Sequence, residues 1–110
     1  MRNESKCLIF ENVCKEIVWK LKIFDYERVG KWWNNKLEID ITAINNKEKE
    51  ILFGECKWQE NVSPYSVLNN LKEKISFVDW NNEDRKENYI IFAKSFSKRV
   101  ELNNLYLFDL

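Results

Sequence analysis

The chain has 110 residues, 45% hydrophobic and 33% charged, with 18 Lys/Arg balanced by 18 Asp/Glu and no histidine. That length suits one domain, residues 1–110, with a modest core, and the lack of histidine excludes imidazole acid–base catalysis and His-ligated zinc. Zero net charge argues against a broad basic surface for non-specific nucleic-acid binding. The three cysteines (Cys7, Cys14, Cys56) form no Cys-x-x-Cys pair, which argues against structural zinc and a disulfide framework. No apolar run approaches the roughly 18 residues of a membrane span and no secretory pattern is present, so no membrane partner and a cytoplasmic setting are expected.

Met1–Lys6 is polar and expected to fray. Apolar residues at 10, 13, 14, 17, 18 and 21 predict an amphipathic helix from Cys7 to Leu21. It carries Glu11 and Glu16. Phe24–Trp33 reads as a first strand, in which Gly30 marks a bulge or a close backbone approach. Neighbouring strand side chains alternate, so one of Trp32 and Trp33 is expected in the core and the other on the second face. Base stacking is the functional reading of that pair.

Leu37–Trp58 (LEIDITAINNKEKEILFGECKW) is the stretch that carries chemistry. Leu37, Ile39, Ile41 and Ala43 alternate with Glu38, Asp40 and Thr42, as in a strand with one buried face. Ile51, Phe53, Glu55 and Lys57 alternate with Leu52, Gly54, Cys56 and Trp58. Folding this hairpin between Lys47 and Glu48 sets Asp40 opposite Glu55, with Lys57 on the same face. Two facing carboxylates repel and weaken the sheet unless a cation lies between them, and Mg²⁺ is typically held by one or two carboxylates plus water. Residues 38–60 are also the acidic part of the chain, with six Asp/Glu against three Lys. The alternative is a set of cross-strand ion pairs in which Lys57 merely neutralises Glu55 or Asp40.

Ser63 and Pro64 suit the start of a second helix, with Tyr65, Leu68, Leu71, Ile75 and Val78 at helical spacing. Asp79–Asn88 reads as a charged loop. Tyr89–Ala93 reads as a strand buried on both faces, parallel to the second hairpin strand through a crossover. Ser95–Asn104 is expected to form a short helix, and Leu105–Leu110 a last strand, a docked tail or an interface. The fold expected is α/β, a mixed β-sheet flanked by helices in the order αβββαβ.

An acidic residue on one strand followed by Glu-x-Lys on the next (Asp40, then Glu55-Cys56-Lys57) resembles the PD-(D/E)xK nuclease superfamily. The longer string from Arg28 to Trp58, with Glu-Ile-Asp and Gly-Glu-Cys-Lys-Trp, is similar to a C-terminal domain of unassigned function that follows the ATPase module of certain archaeal ATPases. The resemblance spans roughly Phe10 to Ser97. It implies a restriction-endonuclease-like core and a DNA endonuclease dependent on Mg²⁺ or Mn²⁺, possible substrates including branched DNA. Asp40, Glu55 and Lys57 would be its catalytic residues. Metal would be held by Asp40, Glu55, a backbone carbonyl near Cys56, and a helical glutamate, Glu11 in preference to Glu16. Lys94 and Ser95 would touch DNA. The chain has no GxxxxGK[ST] loop, so the resemblance implies a copy separate from its ATPase, with an ATPase partner and a homodimer as further expectations. The alternative function is a non-catalytic DNA-binding or ATPase-docking domain of the same fold.

Overall fold

The computed structural model describes residues 4–110, with side chains described from Leu8 onward. Ile51, Leu52 and Phe53 are consecutive and all buried, which requires a strand covered on both faces. That strand, β3 (Glu50–Lys57), is the middle of five. Preceding it are α1 (Glu4–Leu21), β1 (Arg28–Trp33) and β2 (Glu38–Asn45); α2 (Pro64–Ile75), β4 (Lys86–Ala93) and β5 (Leu105–Asp109) follow. Spatial order equals chain order, with β1–β2 and β2–β3 antiparallel and β3–β4 and β4–β5 parallel. The fold is therefore mixed α/β, a five-stranded mixed sheet with two helices. It has one strand more than the expected order, because Leu105–Asp109 pairs with β4.

Each helix covers one sheet face. Phe10, Cys14 and Val18 recur at four-residue spacing on α1 and meet Ile41, Ala43, Leu52, Ile90 and Phe92. On the opposite face Leu71 and Ile75 of α2 meet Ile39, Ile51 and Phe53, while Val67 and Leu68 meet Ile91 and Ala93. Ser63 caps α2 by accepting a hydrogen bond from the Ser66 N–H at 3.3 Å, and Pro64 occupies the first turn. Past its other end, Arg85 donates to the Val78 carbonyl at 2.8 Å and the Trp80 carbonyl at 3.0 Å, and pairs with Glu87 at 2.7 Å. Gly54 permits close packing at the sheet centre, since a Cβ there would lie 3.0 Å from Ile90 Cγ2 and 3.1 Å from Ile41 Cβ.

Several local expectations need correction, the first being that β4 begins at Lys86 rather than Tyr89, so the last three residues of the expected Asp79–Asn88 loop pair with β3. Helix α1 begins at Glu4 rather than Cys7, and residues 1–3 of the supposed frayed end lie outside the described residues. The first strand begins at Arg28 rather than Phe24, because Phe24 and buried Tyr26 turn inward against each other, ring centroids 4.8 Å apart. Ser95–Asn104 is not helical. Phe96 forms a bridge with Val62, and Arg99 donates to the Leu107 carbonyl at 3.2 Å and to Asp109 at 2.6 Å, so this segment runs along the outer edge of β5.

Candidate functional site

Strand β2 contains one residue more than β1 at a single point. Gly30 pairs with Thr42 and Trp32 with Ile39, so Asp40 and Ile41 together oppose Lys31. This β-bulge reverses the alternation of faces. Ile41 is buried against α1, whereas Ile39, two residues away, is buried against α2. Asp40 lies at the crossover between them. The expected common face for Leu37, Ile39, Ile41 and Ala43 is thus broken at Asp40.

Across the hairpin the register is the expected one. Ile41 pairs with Gly54, which brings Asp40 beside Glu55. There the two carboxylates replace the regular strand-to-strand hydrogen bonding. Asp40 Oδ2 accepts from the Cys56 N–H at 2.9 Å, and Glu55 Oε2 accepts from the Asp40 N–H at 3.3 Å. Glu55 is only 4% exposed, and its Oε1 lies 3.1 Å from Lys74 Nζ on α2. Burial and the neighbouring Glu55 charge raise the Asp40 carboxyl from 3.8 to about 6; the Cys56 N–H opposes the rise and Glu11 adds to it. Charges on both helices therefore act on Asp40.

Glu55 and Lys57 share the α2 face and line one groove of about 300 Å³ with Asn70, Lys74 and Phe77. Glu11 is half-buried on α1 and pairs with Lys31 at 3.2 Å, the residue opposite the bulge, whereas Glu16 is exposed. Among the described residues no three Asp, Glu, Cys or His side chains converge as a metal cluster. Cys56 faces away into the α1 core, and its hydrogen bond with Cys14, together with burial, pushes the thiol pKa up. Its contribution to the site is backbone. Ser95 Oγ accepts from the Asn61 N–H at 2.8 Å, closing the loop before α2, and Lys94 Nζ sits 4.4 Å from the Trp58 ring centroid. Both follow β4 directly, at the same sheet end as Lys57.

Lys74 escaped the sequence reading, because it lies 19 residues from Glu55 on a separate helix. The only signal was its place beside Ile75 in the last turn of the amphipathic helix. Asp40 and Glu55 supply hard oxygen donors in the number that a Mg²⁺-class ion takes from protein. Their repulsion, partly balanced by Lys74, is of the kind a divalent cation relieves.

The fold and cluster define a mixed α/β domain with paired carboxylates and lysines where β2 and β3 part. The chain belongs to the DUF234 family of archaeal and bacterial proteins of unknown function, whose model matches residues 4–88. It is also similar to an uncharacterized protein of Methanocaldococcus jannaschii, 30% identical over 115 residues that cover 98% of this chain and 26% of that protein. The chain thus spans about a quarter of the length of the curated relative it matches. No solved structure matches. Among the described residues no helix is long and apolar enough to cross a membrane.

Proposed function

We propose that this chain hydrolyses DNA phosphodiesters with Mg²⁺ or Mn²⁺, as a PD-(D/E)xK-type endonuclease on a restriction-endonuclease-like core. The observation that carries the reading is the burial of the Asp40 carboxylate beside that of Glu55, which raises Asp40 to about 6. Perturbed carboxylates of this kind mark functional sites. A bound cation would supply charge for the scissile phosphate and a more acidic water. Asp40 and Glu55 hold it; the Cys56 N–H fixes the Asp40 carboxylate, and Lys74 fixes that of Glu55. Lys57, on the face of Glu55, meets a phosphate oxygen or orients the water. Glu11 completes the site from α1 by leaving Lys31. Lys94, close to the same sheet end, meets the DNA backbone, and Ser95 positions that loop.

The test is cleavage of labelled linear and four-way-junction DNA in Mg²⁺ or Mn²⁺ by wild type, Asp40→Ala and Lys57→Ala. Metal-dependent cleavage lost in both variants is the expected result. No cleavage of either DNA, together with no metal binding by wild type, overturns the reading.

A separate surface favours a second reading, the non-catalytic docking domain. Ile9, Val13, Trp58 and Leu110 line an apolar groove of about 520 Å³ between the first half of α1 and the residues that follow β3, β4 and β5, with Lys94 among its lining. All four are exposed, and the relative has nearly three quarters of its length outside the match. An ATPase or another protein partner would cover this groove. Ile9→Asp, at an exposed position outside the residues assigned to cleavage, should abolish partner binding and leave cleavage intact, which would separate the two roles.

A further inference from the structure

A cavity of about 420 Å³ opens on the α2 face, beyond the end of α2 and over β1 and β2. Trp32 and Trp80 line it with Ile44 and Val78; Thr42 lies on the sheet beneath them, and Arg28 and Asp79 lie among its polar residues. Two features point to a ligand. Gly30 and Thr42 are cross-strand partners, so a side chain at position 30 would project on the face of Thr42. A Cβ built there meets nothing within 4 Å, and Gly30 is not in the left-handed region, so the backbone does not require glycine. The missing side chain leaves the cavity open. Independently, Thr42 Oγ1 is the one buried side-chain N or O atom among the described residues without a hydrogen-bond partner. An orphan hydroxyl is unfavourable; this one is closed to solvent, so a ligand heteroatom reaches it only when the side chains covering it part, and then removes that cost.

We propose that this cavity binds a nucleobase. Two indoles and aliphatic side chains suit a flat ring, and stacking on tryptophan accepts every base. The hydroxyl beneath needs a polar ring edge and both donates and accepts, so weak base preference is expected. Arg28 suits the phosphate that a nucleotide carries. Trp80 is already held in place, its Nε1–H donating to Asn46 Oδ1 at 3.0 Å and its backbone N–H to Asn82 Oδ1 at 2.7 Å. The base comes either from a free nucleotide or from a strand in which it is unstacked. In the second case the pocket would position the DNA of the proposed nuclease, since Thr42 lies two residues along β2 from Asp40. Binding itself does not depend on cleavage.

The test is tryptophan emission during titration with adenosine 5′-monophosphate, a single-stranded oligonucleotide, or the same oligonucleotide made abasic, all in EDTA. Saturable quenching is expected with a base-bearing ligand. Gly30→Val should weaken it at least about tenfold, as should removal of the bases, in line with the strength of base–aromatic stacking. Thr42→Val, which keeps shape and removes the hydroxyl, should weaken it by roughly three- to tenfold. Circular dichroism checks that each variant is folded, and Thr42→Val carries the test if Gly30→Val is not. Saturation by the monophosphate assigns a free nucleotide, and saturation by the oligonucleotide alone assigns a strand. Equal titrations for wild type and the folded variants, equal binding of the abasic strand, or no saturable change with any ligand overturns the proposal. Because no metal is present, failure here leaves the cleavage reading untouched, and failure of cleavage leaves this one.

Discussion

Asp40 offers the most direct test of the site's electrostatics. Asp40→Asn removes the charge and retains an amide oxygen to accept the Cys56 N–H now bonded at 2.9 Å. Raising the carboxyl from 3.8 to about 6 corresponds to ionisation disfavoured by roughly 3 kcal/mol in the folded state. The sign follows from proton linkage. An acid whose folded pKa is raised holds its proton more tightly when folded, so wild-type stability falls as pH rises from about 3.8 to about 6. Above that window the full penalty is present; below it both states are protonated and the penalty is absent. Asp40→Asn should therefore be more stable than wild type by about 2–3 kcal/mol at pH 8 without divalent metal. The gain should disappear near pH 3.5. Urea unfolding followed by tryptophan fluorescence at several pH values measures it. A variant no more stable than wild type at pH 8, or a gain undiminished at low pH, refutes the assignment of burial and Glu55 as the cause.

Three further substitutions probe the surrounding packing. Lys74→Met leaves the Glu55 carboxylate, 4% exposed, without its cation, and should destabilise the fold by about 3 kcal/mol in urea titrations. Adding Glu55→Gln to that variant should recover much of the loss. Gly54→Ala puts a Cβ at 3.0 Å from Ile90 Cγ2 and 3.1 Å from Ile41 Cβ in the centre of the sheet; a cost of about 1–3 kcal/mol should appear as a lowered Tm. Thr42→Val removes the orphan hydroxyl and should raise stability by about 1 kcal/mol in the absence of ligand, read by the same urea titration.

Much of this architecture was legible in local sequence. The polar run Asn45–Glu50 fixed the hairpin's centre, and that centre alone brings Asp40 to Glu55. Ser63-Pro64 fixed the start of α2, and unbroken apolarity identified the inner part of β4. Elements set by distant contacts were not legible. Ser95–Asn104 carries no helix because Val62 and the edge of β5 hold it extended, and neither is near it in sequence. Trp33 is 69% exposed rather than covering the second sheet face. On α1 the buried stripe is narrower than its apolar periodicity, which leaves Val13 and Leu21 exposed.

The bulge at Asp40 explains both what the sequence reading reached and what it missed. Ile39 and Ile41 at a spacing of two look like one buried face, and either arrangement buries both. Only the pairing with β1 reveals that they enter different cores. Gly30 hinted at an irregularity in β1, yet the extra residue is on the partner strand. The consequence for chemistry is specific. A regular β2 would direct Asp40 to the α2 face with Glu55 and Lys74; the bulge instead sets it between the faces, where Glu11 of α1 also acts on it. Removing the bulge by deleting Ile39 keeps Ile41 and the residues after it in register. It should therefore separate Asp40 from the influence of Glu11 while leaving Glu55 paired with Lys74, read as a changed pH dependence of stability in urea titrations.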